Sequence, residues 1–142
     1  MSGLFVLDAS VTMSWAWAFE TEATPFTIQV LGSLKTAHAV TPALWPFEVA
    51  NALVDAERRG RINPAQQAEF LERLRLLPIT IEHRPACWLG QQISLARAHR
   101  LTAYDAAYLE LAIREGLPLA TLDRDLRKAA AAAGAALVEL EP

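Results

Sequence analysis

The sequence predicts an α/β fold, with a central, mainly parallel sheet of about five strands and helices on both faces. Three observations carry this. Short apolar runs recur at residues 4–7, 39–41, 79–81, 119–121 and 136–140, as strands buried on both faces require. Longer stretches with helical periodicity separate them, giving the order β-α-α-β-α-α-β-α-α-β-α-β, and strands separated by helices pair in parallel. The composition, 53% hydrophobic and 20% charged over 142 residues, suits a folded core, and the length suits one domain, expected over residues 1–142.

Each element has its own signals. The first apolar run stops at Asp8, and Ser10 then caps a helix to about residue 19. Thr24-Pro25 places a cap before a proline at the first helical position, opening a helix to about residue 34. Pro42 stops the second strand. A helix over 44–59 ends at Gly60, a glycine placed to take the left-handed conformation that ends helices. Asn63-Pro64 repeats the cap-plus-proline signature. The helix that follows carries Phe70, Leu71, Leu74 and Leu77 on one stripe, with Glu69 and Arg73 four apart on the other side. Pro78 ends it, the strand 79–81 follows, and another helix covers about 85–99. Thr102 caps a helix that runs to Glu115 before Gly116. Asp123 caps the last helix, which passes through the alanine run 129–133 to Gly134 and leads to the closing strand.

Bulk properties exclude several classes. No apolar run approaches the ~20 residues needed to span a bilayer. The N-terminus has no basic region ahead of its apolar run, so no signal peptide is expected. Cys87 is the only cysteine, which rules out an intramolecular disulfide and suits a small buried hydrophobe. His38, His83 and His99 show no zinc-like spacing. A cytoplasmic protein fits these features. The net charge of −3 argues against gripping a polyanion by bulk charge, so a nucleic-acid substrate would need local arginines and metal ions.

The candidate chemistry lies in four carboxylates. In open parallel sheets, sites form at the carboxyl ends of the strands. Asp8 directly follows the first strand and Asp123 the strand ending at Thr121, Glu48 lies in the first turns of the helix after the second strand, and Asp105 lies in the first turn of the helix that Thr102 caps. All four can therefore converge on one edge. Taken singly, each is open to a simpler reading: a helix cap for Asp8 and Asp123, a first-turn acid favoured by the helix dipole for the other two. The apolar neighbours of Glu48 and Asp105 weaken that reading, because a carboxylate in such a setting needs a partner. No lysine or arginine lies within four residues of Asp105. A hard oxygen donor set suits Mg²⁺ or Mn²⁺ rather than zinc, and such a site suits phosphoryl chemistry.

Four blocks carry a resemblance: Leu7-Asp8-Ala9-Ser10, Pro46-Phe47-Glu48-Val49-Ala50-Asn51, Thr102-Ala103-Tyr104-Asp105-Ala106-Ala107-Tyr108 and Ala120-Thr121-Leu122-Asp123. In this order the chain resembles PIN-domain ribonucleases, and among them the VapC-type toxins of type II toxin–antitoxin pairs. The resemblance spans nearly the whole chain. It implies a three-layer α/β/α sandwich and a metal-dependent endoribonuclease that hydrolyses RNA phosphodiester bonds with a Mg-activated water. Asp8, Glu48, Asp105 and Asp123 match the acidic quartet, with Asp8 and Asp105 as the principal metal ligands. Ser10, Asn51 and Thr121 match supporting positions. Asp125 is a second acid beside Asp123, expected at the surface. The implied partners are an RNA substrate such as tRNA or rRNA, a cognate VapB-type antitoxin, and a second copy in a homodimer. The alternatives are a PIN nuclease of RNA processing and a catalytically inert PIN-like binding module.

RNA contacts are expected from two basic clusters, Arg58, Arg59 and Arg61 at the end of the third helix, and Arg124, Arg127 and Lys128 after Asp123. A solvated charged surface is the competing account of both. Trp15 shares a helix face with Phe19, while Trp17 points about 200° away, so one of the tryptophans needs a second packing surface. A haloacid-dehalogenase phosphatase would need an aspartate where Ser10 stands.

Overall fold

The computed structural model describes residues 3–16, 24–83 and 89–142. Its elements run β1 (Gly3–Leu7), α1 (Ala9–Ala16), α2 (Pro25–Ser33), β2 (Ala37–Thr41), α3 (Trp45–Arg58), α4 (Pro64–Arg75), β3 (Ile79–Ile81), α5 (Leu89–His99), α6 (Ala103–Glu115), β4 (Leu119–Ala120) and α7 (Arg124–Ala132). The order matches the sequence reading. Trp17, Phe19 and Cys87 lie outside the described residues.

Among the described residues four strands, not five, form a parallel sheet in the order β3-β2-β1-β4. The strand expected over 136–140 is reduced to an isolated parallel bridge between Leu119 and Leu137. The reason is the shortness of β4. Leu119 accepts from Val138 and donates to Ala136, each at 2.9 Å, but the strand ends at Ala120 and offers no longer ladder. Beyond Val138 the chain pairs with a side chain instead. Gln29 Nε2 donates to the Glu139 carbonyl at 2.9 Å, and the Glu141 amide donates to Gln29 Oε1 at 2.7 Å.

This strand order locates the site. The chain steps outward from β1 to β2 to β3, then crosses back to place β4 on the other side of β1. Right-handed crossovers put α1 to α4 on one face and α5 and α6 on the other. The helix contacts agree, since α1 packs against α2 and α3, and α6 packs against α5 and α7. The progression reverses between β1 and β4, and a crevice opens outside the carboxyl ends of strands at such a point.

The core fills the space between the layers. Phe5, Val6 and Leu7 are all 0% exposed, as consecutive residues must be in a strand covered on both faces. Helix α1 is buried almost all round, from Val11 to Ala16, so its polar groups need internal partners. Ser14 donates to the Val11 carbonyl at 2.7 Å. Trp15 donates through Nε1 to the Thr27 carbonyl at 2.8 Å, and Trp45 through Nε1 to Thr12 Oγ1 at 3.1 Å. Trp15 thus ties α1 to α2, and Trp45 ties it to α3. In α3 the buried residues Trp45, Val49, Leu53 and Ala56 form a single stripe, which leaves Glu48 beside the core rather than in it. Gly116 ends α6 with φ +64°, the left-handed conformation expected of it. No helix among the described residues is long and apolar enough to cross a membrane.

Candidate metal centre

Asp8 follows β1 directly and is 5% exposed. Its side chain does not cap α1. Instead Oδ2 accepts from Ser10 Oγ at 2.5 Å and from Thr121 Oγ1 at 2.7 Å. Both hydroxyls also accept from the backbone after β4, Ser10 from Leu122 N and Thr121 from Asp123 N, each at 3.0 Å. The Asp8 amide donates to the Ala120 carbonyl at 3.0 Å. This stitching joins the ends of β1 and β4 and fixes the orientation of the Asp8 carboxylate. Ser10 and Thr121 thus share one oxygen of the Asp8 carboxylate.

The other acids arrive from three helix starts. Glu48 is in the first turn of α3 and is half-buried. Asp105 is in the first turn of α6, which the Thr102 hydroxyl caps by accepting from Asp105 N at 3.1 Å. Asp123 is the N-cap of α7, and its Oδ1 accepts from Leu126 N at 2.9 Å. The cap reading of Asp123 is thus correct, and it leaves Oδ2 outside the capping bond.

Electrostatics tie the four together. Burial, opposed by the Ser10 and Thr121 hydroxyls, pushes the Asp8 carboxyl above its ordinary value, and the charges of Asp105 and Asp123 add to the rise. Glu48 is raised by burial, lowered by the Tyr108 hydroxyl, and raised again by Asp8 and Asp105. Asp105 is raised by burial, then by Asp123, and also by Asp125. These mutual effects place Asp8, Glu48, Asp105 and Asp123 in one field, with Asp125 at its exposed margin. No ion pair among the described residues involves any of the quartet.

Sequence reasoning named Tyr108 only as a member of the block around Asp105 and gave it no role. The structure gives it a polar task. It is 0% exposed, and its hydroxyl donates to Glu48 Oε1 at 2.6 Å. Burial, with Asp8 and Glu48 nearby, holds that hydroxyl strongly on the protonated side. A tyrosine three residues after Asp105 on the same helix face was the available signal.

The donor set fits a divalent cation. It is all carboxylate oxygen, backed by hydroxyls, with unbalanced negative charge partly withdrawn from water. It is not a closed cage: among the described residues no three His, Cys, Asp or Glu side chains already stand as a ready ligand group. Like charges without a counterion keep apart, and Mg²⁺ commonly retains several waters while using one or two carboxylates.

The basic residues divide. Arg58 lies ten residues beyond Glu48 on α3, about 15 Å along the axis, and Arg59 pairs with Asp55 at 3.0 Å. Arg58 thus stands well away from Glu48 along α3. Arg127 is committed internally, donating to the Thr121 carbonyl at 3.1 Å and Glu139 at 3.0 Å, with its guanidinium 5.8 Å from the centre of the Phe26 ring. Arg124 is exposed immediately after Asp123, and Asn51 is exposed one turn after Glu48.

The sequence profile of the PIN domain matches residues 5–132. The chain belongs to the PIN domain family. This PIN domain is 40% identical over 81 residues to a protein named Ribonuclease VapC3 from Pyrobaculum aerophilum, a match covering 56% of this chain and 62% of that relative. Its fold resembles the crystal structure of PAE2754 from Pyrobaculum aerophilum with a TM-score of 0.66 and 25% identity, over 91% of this chain and 86% of that one. It also resembles a chain in a toxin–antitoxin complex from Klebsiella pneumoniae, with a TM-score of 0.58 and 18% identity over 85% and 88% of the two chains.

Proposed function

We propose that this PIN domain is a divalent-cation-dependent endoribonuclease and the toxin of a VapBC-type pair. The observation that carries the reading is the electrostatic coupling of Asp8, Glu48, Asp105 and Asp123 near the β1–β4 edge, with no ion pair to any of them among the described residues. The 40% identical relative named a ribonuclease supports the nuclease reading, and the fold neighbour from a toxin–antitoxin complex supports an antitoxin as partner. RNA, with tRNA or rRNA as the class to test first, is the substrate. A VapB-type antitoxin and a homodimeric assembly complete the proposal.

When bound, Mg²⁺ or Mn²⁺ supplies positive charge to the scissile phosphate and makes a nearby water more acidic. The chain does the positioning. Ser10 and Thr121 hold one oxygen of Asp8, so the other is presented in a fixed direction. Asp8 and Asp105 would hold the cation. Glu48 and Asp123 orient the attacking water for in-line displacement. Arg124, next to Asp123, is the side chain best placed to meet an adjacent phosphate.

The test is cleavage-site mapping on purified tRNA and rRNA with Mg²⁺ or Mn²⁺, with chelator, and with Asp8→Asn. Discrete cuts that need both the cation and Asp8 are expected. Cuts that persist in the Asp8→Asn protein, or an absence of cuts with either cation, would overturn the assignment.

A further inference from the structure

We propose that Tyr108 is a positioning residue for the acidic centre, its buried hydroxyl holding the Glu48 carboxylate in a set place relative to the turn that carries Asp8. This rests on the cation-dependent reading above and adds a residue that reading does not use.

The geometry spans three elements. Tyr108 rises from α6 and is 0% exposed, yet its hydroxyl reaches α3 and donates to Glu48 Oε1 at 2.6 Å. The same hydroxyl lies within electrostatic reach of Asp8 and of the Ala9 backbone, at the end of β1. Asp105 and Tyr108 are three residues apart and share a face of α6. One helix therefore supplies a carboxylate and, one turn later, the brace for another.

Glu48 needs such a brace. Its side chain has three rotatable bonds, and the charges of Asp8 and Asp105 oppose its own. Without a tether, the carboxylate would swing outward to water. No other hydrogen bond among the described residues engages it, so Tyr108 holds Oε1 and leaves Oε2 for the centre. Packing alone would be served by phenylalanine. A buried hydroxyl costs free energy unless it is bonded, and here its side-chain partner is Glu48. Groups that orient ligating carboxylates in this way typically change metal affinity about 10- to 100-fold when removed.

The experiment is calorimetric titration of Mn²⁺ into the full chain as wild type, Tyr108→Phe, Glu48→Ala and the double variant, with melting curves in chelator. Tyr108→Phe should weaken Mn²⁺ binding about tenfold, with a cation-free melting temperature close to wild type. In the Glu48→Ala background the same change should have no further effect, because its action runs through Glu48. Unchanged affinity in Tyr108→Phe, an equal loss in both backgrounds, or failure of Tyr108→Phe to fold would each overturn the proposal. A wild-type chain that binds no Mn²⁺ would overturn the cation reading and this inference with it, and that result is read on the wild type alone.

Discussion

Helix α6 carries acids at both ends, and the two ends are built differently. At its last turn Arg114 pairs with Glu110 at 2.7 Å, with Glu82 at 2.7 Å and with Glu115 at 3.0 Å. Hydrogen bonds to Glu110 and Glu82 hold the guanidinium firmly in its charged form. At its first turn Asp105 couples to Asp123, Asp8 and Glu48, and among the described residues no arginine or lysine pairs with them. Both ends withdraw carboxylates from water. One end brings its own cation and locks α6 to the end of β3. The other leaves the charge unbalanced at the crevice between β1 and β4. The difference teaches that gathered acids alone do not mark a site; gathered acids without an internal cation do.

Charge removal should break this comparison in opposite directions at the two ends. Asp8→Asn should lower RNA cleavage at least a hundredfold, the scale of losing one fixed charge-stabilising group in a reaction centre, while the cation-free fold melts no lower than wild type. Cleavage assays paired with melting curves check both parts. At the other end, Arg114→Met leaves Glu110, only 4% exposed, without its partner. Breaking a buried pair of this kind costs about 3 kcal/mol, a drop of several degrees in melting temperature at the usual ~2–4 °C per kcal/mol for chains near this size. Its Mn²⁺ affinity should stay at the wild-type value, which titration of the folded variant reads directly.

The pH response sharpens the same contrast. Asp8, Glu48 and Asp105 hold protons to higher pH in the folded chain than in the unfolded one. The folded state therefore binds more protons in that window, and stability falls as pH rises through it. The window begins near the ordinary values of 3.8 for Asp and 4.5 for Glu and extends upward. The cation-free protein should thus gain stability as pH falls through that window, whereas the cation-induced rise in melting temperature should disappear over the same range. Denaturant melts across pH, with Mn²⁺ and with chelator, would show the two trends crossing. A cation response undiminished until the ordinary carboxylate range would contradict the raised values.

The smallest effect belongs to the surface. Arg59 and Asp55 are largely exposed, and a pair of this type contributes about 0.5 kcal/mol or less. Arg59→Ala should leave stability and cleavage close to wild type, while Arg124→Ala should weaken RNA binding and reduce its salt dependence by about one phosphate contact. Salt-dependent binding curves for both variants separate a solvated arginine from one that meets RNA.

How much of this was legible in the sequence depends on whether the signal was local. Caps and punctuation were. Thr24-Pro25 and Asn63-Pro64 open α2 and α4 with full capping boxes, and Gly60 and Gly116 take positive φ at helix ends. The placement of Asp8 and Asp123 was legible through topology, because residues just after parallel strands lie at one edge. The fifth strand was not, since its apolar pattern says nothing about the length of its partner β4. The distance of Arg58 from Glu48 was also hidden, although counting ten residues of helix would have exposed it. Tyr108 was hidden for a different reason: its hydroxyl matters only once α3 and α6 are packed together. The network around Arg114 needed the fold as well, because Glu82 is 32 residues away.

The central claim is that the crevice acids await a cation, and it is tested most directly by titrating Mn²⁺ into the purified chain and its Asp8→Asn variant while following melting temperature. The wild type should bind and be stabilised, by about 2.7 kcal/mol at a hundred times the dissociation constant, and Asp8→Asn should lose most of that response. A wild type indifferent to Mn²⁺, or an Asp8→Asn protein that responds equally, would contradict the account.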